Sequence, residues 1–164
     1  MNNEIGILFL KASSAKLEQM TGYLKTCLGK LSDQQVWQRQ GAHENAVGNL
    51  ILHLSGNMRQ WIMHGCGRFP DVRVRDQEFS ADGTMTAAQL VEHFDSTVRE
   101  ALAVINSLPP ECLAQRTTPQ GRDVSILEAI YQVVGHVQQH VGQVILLTKQ
   151  MTGKDLDLTM PRPR

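Results

Sequence analysis

The sequence lacks a net charge. Its 164 residues contain 16 Lys and Arg residues and 16 Asp and Glu residues, so positive and negative charges cancel. A chain without a net field is not drawn to phosphate backbones or to anionic lipid. Because the sequence also lacks a basic stripe and a groove-reading helix, we expect no nucleic-acid binding, and a DNA-binding role is disfavoured.

A long apolar segment is missing as well. The early apolar run from Ile5 to Leu10 is too short to cross a bilayer, and it follows Glu4 rather than the basic stretch of a secretory signal. We therefore expect a soluble protein that does not bind membranes and has no cleaved signal peptide.

The cysteines lack the features of a disulfide framework and of a CxxC site. Cys27, Cys66 and Cys112 are odd in number and widely spaced. This pattern favours a reducing compartment, so the expected location is cytoplasmic. All three are interpreted as ordinary thiols.

Alternating strand patterns are also absent, and four stretches have helical periodicity instead. These stretches extend over about residues 3–30, 45–64, 86–105 and 125–151. The second begins near Asn45, a residue type that is common at helix N-caps. Each stretch has one apolar face, which must be buried against another element.

Two of the four stretches begin with a capping box. The segments from Thr86 to Gln89 and from Ser125 to Glu128 both place a hydroxyl three residues before a longer polar side chain. In such a pair, each side chain can accept a hydrogen bond from a backbone N–H that the helix leaves free. Pro109 follows the end of the third stretch, and Gly153 follows the fourth.

The connecting segments, at about residues 32–44, 65–84 and 107–123, are rich in Gly, Pro and polar residues. They are longer than the roughly 2 to 8 residues that usually join adjacent helices of a bundle. The sequence therefore predicts an all-α four-helix bundle with long inter-helix connections. We expect a single domain over residues 1–158 and a flexible tail at residues 159–164.

The most informative chemical pattern is the segment His136-Val-Gln-Gln-His140 in the fourth helix. The i, i+4 spacing places two imidazoles one turn apart on the same side of a helix, where their nitrogens can converge on one ion. Gln132 and Gln143 lie along the same flank, at the edge of a valine-rich stripe. This flank can line a cavity.

A third histidine, His53, lies beside the apolar stripe of the second helix, with Asn49 one turn before it and Asn57 one turn after it. If this polar strip faces the paired histidines, three neutral imidazoles form the three-ligand arrangement of a catalytic zinc-type site. The remaining position is then left to water, and hydrolytic or thiolate chemistry becomes available.

A purely structural role for these histidines remains an open alternative. The HxxxH spacing also occurs by chance, and an imidazole at the edge of a core often only binds a backbone partner. The chain has 6 histidines, which form many accidental triples. His43, His64 and His93 are more readily explained as solvated or structural residues, with His93 as the reserve ligand candidate.

Three segments carry a resemblance to a known family. The segment NLILHLSGNMRQW, from Asn49 to Trp61, resembles the metal-histidine helix of the DinB and YfiT-like superfamily of metalloenzymes. The segment HVQQHVGQVILLTK, which begins at His136, resembles the paired-histidine helix, including the HxGQ run of a DinB-related branch of unknown function. The loop segment RDQEF, from Arg75 to Phe79, is similar to the same branch.

The resemblance implies a bundle with an open three-histidine site, often in a homodimer. Carried over residue by residue, it implies that His53, His136 and His140 bind one divalent ion, with zinc or nickel as the expected metal. Asn57 and Gln143 are then expected to support the ligands or to contact substrate.

Arg59 also falls within the resembling segment, but it projects about 120° round the helix from His53. We therefore expect Arg59 to anchor the long loop through Asp76 or Glu78 rather than to act in catalysis.

Characterised relatives in the superfamily include transferases and isomerases that use low-molecular-weight thiols such as bacillithiol or mycothiol. The resemblance thus implies a divalent-metal-dependent enzyme, either a thiol-dependent S-transferase or a hydrolase, that acts on a small-molecule substrate. The alternative is a non-catalytic metal-binding or stress-response protein with a structural or sensory ion. A fourth protein ligand would favour that alternative, whereas a water on the metal would favour the enzyme.

Overall fold

The structure is a computed structural model that describes residues 3–39, 41 and 43–158. The predicted tail at residues 159–164 lies outside the described residues, and the single domain over residues 1–158 stays a prediction. Within the described part of the chain, no helix has the length and apolar character needed to span a membrane.

The described residues form mainly helices, with two very short strands. The α-helices are α1 (Asn3–Leu28), α2 (Val47–Met58), α3 (Arg75–Ser80), α4 (Ala87–Ser107) and α5 (Ile126–Thr152). The strands β1 (Arg116–Thr117) and β2 (Val124–Ser125) form an antiparallel pair. Single 3₁₀ turns cover Gln35–Trp37, Pro110–Ala114 and Pro119–Gly121. The predicted all-α class is confirmed.

The predicted capping boxes define the starts of α4 and α5. Thr86 accepts a hydrogen bond from the backbone N–H of Gln89, and the Gln89 side chain accepts one in return from the backbone of Thr86. Ser125 and Glu128 are paired in the same way at the start of α5. These reciprocal bonds satisfy backbone donors that the first helical turn leaves free.

The four long helices enclose the core. α1 packs against α4 and α5, and α2 packs against the same two helices. Consequently α1 and α2 lie on one diagonal of the bundle, and α4 and α5 lie on the other. The connections from α1 to α2 and from α4 to α5 must therefore cross the bundle, which explains why those segments are long.

Helix α3 is a correction to the predicted irregular segment at residues 65–84. It has only six residues, Arg75–Ser80, which is too short for helical periodicity to be visible in the sequence. The strands β1 and β2 contain two residues each, so they too leave no alternating pattern. Helix α3 packs against α2, and this contact brings the long loop to the side of His53.

The predicted partner of Arg59 is wrong. Helix α2 continues as a π-helical turn over Arg59–His64, and Arg59 there donates two hydrogen bonds to Glu100 of α4, at 2.9 and 3.2 Å. Arg73 occupies the place beside Glu78 instead. Arg59 lies on the side of α2 that faces α4, so it cannot reach the loop that packs near His53.

Candidate metal centre

Helices α2 and α5 bring three histidines together. His53 is near the middle of α2, and His136 and His140 are one turn apart on α5. One donor nitrogen from each imidazole lies within 4.8 Å of the other two. The Nε2 atoms of His53 and His136 are 2.9 Å apart. Among the described His, Cys, Asp and Glu residues, no fourth side chain belongs to this group.

The three imidazole rings are nearly perpendicular to one another. The ring centroids of His136 and His140 are 4.5 Å apart with an interplanar angle of 85°, and those of His53 and His140 are 5.3 Å apart with an angle of 87°. The angle between the rings of His53 and His136 is 78°. Nearly perpendicular rings allow three nitrogens to point towards one centre without stacking.

The donor set fits a divalent transition-metal ion. An imidazole nitrogen binds zinc at about 2.0–2.1 Å, which in a tetrahedral site places the ligand nitrogens roughly 3.3 Å apart. The Nε2 atoms of His53 and His136, at 2.9 Å, are close to that spacing, and a nitrogen of His140 lies within 4.8 Å of both donor nitrogens. Neutral imidazoles are ligands for zinc, nickel, copper and iron rather than for magnesium or calcium. His53, His136 and His140 would hold such an ion.

The paired histidines of α5 are in the protonation state that metal binding needs. Burial lowers the pKa of His136 to about 4, and the neighbouring charges of His140, His53 and Arg73 act in the same direction. Burial also lowers the pKa of His140, although its hydrogen bond with Gln143 opposes this effect. Both imidazoles are therefore neutral near pH 7 and keep a lone pair for an ion.

A buried carboxylate supports His53 from behind. Nδ1–H of His53 donates to Oε2 of Glu78 at 2.9 Å, and Arg73 donates to both Glu78 oxygens at 2.7 and 2.8 Å. Burial opposes the charged form of Glu78, but the hydrogen bonds from Arg73 and His53 and the charge of Arg73 outweigh it and lower its pKa. Nη2 of Arg73 also lies 3.2 Å from Nδ1 of His53. Because the ionised Glu78 is the nearer partner and can only accept, we assign the proton of His53 to Nδ1, and Nε2 then faces the other histidines.

Gly56 makes room for this carboxylate. A Cβ atom at Gly56 would overlap Oε1 of Glu78 and would lie 2.8 Å from its Cδ and 3.0 Å from Nε of Arg73. Gly56 is within α2, where glycine normally weakens a helix. Its place is therefore explained by the close approach of Glu78 to the helix backbone.

The two residues that were predicted to flank the ligands have different surroundings. Gln143 is exposed, and its Oε1 lies 2.7 Å from Nδ1 of His140, so Nδ1–H of His140 donates to it. Asn57 is buried one turn beyond His53, and its Oδ1 has no hydrogen-bond partner among the described residues. Their roles toward a metal or a substrate stay predictions.

The other three histidines do not join the group. His43 is exposed, and Nδ1 of His64 donates to the carbonyl oxygen of Phe69 at 2.7 Å. Burial lowers the pKa of His93, which lies close enough to Arg59 and Glu100 to feel their charges. His93, the reserve candidate, is thus placed at the α2–α4 side rather than beside α5.

Sequence reasoning missed Glu78 and Arg73 as parts of this site. They are 25 and 20 residues from His53 in the chain, and no spacing rule links such distant positions. The available signal was Gly56, an isolated glycine inside a strongly helical pattern, because such a glycine often marks a close packing contact.

Comparison with known proteins gives a family match. A family model described as "Protein of unknown function (DUF1572)" matches residues 4–164 of the chain. No curated protein matches the chain.

Solved structures have the same fold. A DinB-like protein from Bacillus cereus ATCC 10987 is 16% identical, with a TM-score of 0.69 and a match that covers 95% of each chain. A mycothiol-dependent maleylpyruvate isomerase and a histidine-to-alanine mutant of it are 14% identical, with a TM-score of 0.66. These two matches cover 82% of this chain but 60% of the isomerase chain. The DinB-like fold predicted from the sequence is confirmed.

Proposed function

We propose that this chain, which belongs to the DUF1572 family of proteins of unknown function, is a divalent-metal-dependent enzyme that acts on small-molecule thiols. In this proposal, His53, His136 and His140 bind the ion, which is zinc or nickel. The substrate pair is a low-molecular-weight thiol and an electrophile. The reaction is S-transfer, in which the thiolate sulfur forms a bond to the electrophilic carbon as that carbon releases its leaving group, or adds to a double bond that then takes up the thiol proton.

The observation that carries the proposal is the convergence of three imidazoles from two helices without a fourth protein donor from the described residues. Catalytic zinc sites have three protein ligands and an open position, whereas structural sites have four. When bound, the ion would lower the pKa of a coordinated thiol or water and so supply a nucleophile near neutral pH.

Residues of the chain have distinct roles around this position. Glu78 accepts a hydrogen bond from Nδ1–H of His53, and Gln143 accepts one from Nδ1–H of His140, so both imidazoles present Nε2 to the same centre. Oδ1 of Asn57 is buried and receives no hydrogen bond from the part of the chain that the structure describes, and a buried acceptor without a donor is costly. We propose that Asn57 accepts a hydrogen bond from the bound thiol or substrate.

The thiol part of the proposal is supported by the fold neighbour that is mycothiol-dependent. At 14% identity this likeness establishes only a shared fold. The open three-histidine site is therefore the main support for a thiol substrate, and the mycothiol-dependent neighbour adds to it. A homodimer in the cytoplasm belongs to the same proposal.

The test is the metal dependence of thiol attack on an electrophile. The zinc- or nickel-loaded protein is expected to accelerate the reaction of a small thiol with a panel of electrophiles, because a coordinated thiolate remains nucleophilic below the free thiol pKa of about 8.5. The rate should fall at least roughly tenfold when a chelator removes the ion, and it should return when the ion is restored.

The control is the chelator-treated protein with magnesium added, since magnesium does not suit an all-imidazole site. Absence of metal-dependent turnover with bacillithiol, mycothiol, glutathione and cysteine would contradict the transferase proposal. A chain that still bound one zinc ion would then be assigned to the non-catalytic metal-binding alternative.

A second prediction concerns Asn57. Asn57→Leu, which keeps the branched shape of the side chain but is larger and cannot accept a hydrogen bond, is expected to keep one ion per chain and to lower the rate about two- to tenfold, the effect of one lost hydrogen bond. Its thermal stability should stay close to that of the wild type, because removal of an unpaired buried oxygen offsets the cost of the larger side chain. Rate and melting temperature are measured on the same preparations. An unchanged rate would contradict the proposed substrate contact.

A further inference from the structure

We infer that Glu78, held by Arg73, is a positioning residue of the metal centre, so that metal affinity depends on a short helix that supplies no ligand. This inference rests on the proposed function. Glu78 would act through His53 by fixing its tautomer and the direction of its ring.

The hydrogen-bond pattern requires a carboxylate at position 78. Oε2 accepts from Nδ1 of His53 and from Nη2 of Arg73, at 2.9 and 2.8 Å, and Oε1 accepts from Nε of Arg73 at 2.7 Å. Three N–H groups therefore converge on two oxygens. An amide has only one oxygen, so its NH₂ group would face an N–H donor wherever it turned.

The burial of these three side chains indicates that the network has a role beyond stabilising the fold. The side chain of Arg73 is 3% exposed, and the side chains of Glu78 and His53 are each 9% exposed. Removing charges from water is expensive, and a buried ion pair is often no more stabilising than apolar side chains of similar volume. Metal-binding histidines, in contrast, almost always donate their second N–H to such a partner.

The local chain is shaped around this contact. Glu78 is in α3, Arg73 is five residues earlier in the loop, and Gly56 of α2 leaves the space that the carboxylate fills. The ring of Phe79, also in α3, packs against the imidazole of His53, with 4.8 Å between the ring centroids. Helix α3 thus holds His53 by a charged group and by an adjacent aromatic ring.

The experiment compares Glu78→Gln with Glu100→Gln. The two variants make the same chemical change in an Arg–Glu pair, but Glu100 pairs with Arg59 on the surface of α4. Zinc affinity is measured by competition with a chelating dye, and cobalt absorption spectra report the ligand geometry. Glu78→Gln is expected to bind zinc about 10- to 100-fold more weakly and to change the cobalt spectrum. Glu100→Gln should match the wild type within about twofold.

A readout that needs no metal accompanies the titration. Nitrogen-15 NMR of the metal-free wild type is expected to show His53 protonated on Nδ1, and this preference should weaken in Glu78→Gln. Arg73→Lys keeps the positive charge but cannot donate to both oxygens in the same plane, so it should give an intermediate loss of affinity. It serves as the second variant if Glu78→Gln does not fold.

The possible results separate the two proposals. If the wild type binds zinc and folded Glu78→Gln binds it equally well with the same cobalt spectrum, the inference is overturned and the proposed function stands. A wild type with His53 protonated on Nε2 also overturns the inference alone. A wild type that binds no zinc overturns both.

Discussion

His53→Ala, His136→Ala and His140→Ala are each expected to weaken zinc binding more than about 100-fold, because loss of an outer partner alone costs about 10- to 100-fold. Three imidazoles hold the ion from two helices, so two remaining ligands cannot enclose it. The wild type should carry about one divalent ion per chain when it is purified without chelator or metal-affinity resin. Elemental analysis measures the stoichiometry, and titration calorimetry measures the affinity.

His43→Ala and His64→Ala are the matched controls for this series. His43 is exposed, His64 donates to a backbone carbonyl, and neither belongs to the three-histidine group, so both variants should keep the wild-type stoichiometry. Circular dichroism shows whether each variant is folded. Stoichiometric zinc in His53→Ala would contradict the two-helix site and would move attention to His93.

Gly56→Ala is expected to destabilise the protein by about 3 kcal/mol, between the usual costs of overpacking and of a broken buried ion pair. The new methyl group would overlap Glu78 and displace it from Arg73 and His53. The neighbouring atoms belong to the side chains of Glu78 and Arg73, which several hydrogen bonds fix in place, so little relaxation is available. Urea unfolding followed by circular dichroism measures the free energy of unfolding.

Gly22→Ala is the control, because a Cβ atom at Gly22 in α1 would meet, beyond the adjacent backbone of its own helix, no atom of the described residues within 4 Å. That variant should stabilise the protein by roughly 0.5–1 kcal/mol, the usual gain of alanine over glycine in a helix. The two substitutions are chemically identical and have opposite expected signs. In a Glu78→Ala background the cost of Gly56→Ala should shrink, since the overlapping carboxylate is gone. If both alanine substitutions stabilised the protein equally, Glu78 would not need the space that a glycine at position 56 leaves.

The helices were predictable because the signals that specify them are local. The starts of α4 and α5 agree with the predicted capping boxes, and the end of α5 has Gly153 with a positive φ of 64°, as its position after the last turn indicates. A capping box joins residues only three positions apart, and periodicity is visible over a single helix. Helix α3 has neither a visible cap nor enough length, so it depends on tertiary contacts, which are its packing against α2 and the hydrogen bonds of Glu78.

The candidate site also has a part that local sequence predicts and a part that depends on tertiary packing. The pairing of His136 with His140 follows from the pitch of a helix, and the sequence alone determines it. The sequence by itself also determined the all-α class and the family resemblance.

His53 faces this pair because α2 packs against α5. Only the tertiary structure places Glu78 beside His53 and Arg59 beside Glu100. Local backbone geometry relates residues three or four positions apart. Contacts between distant segments depend instead on which apolar faces bury each other, a choice that is made only when the whole bundle packs.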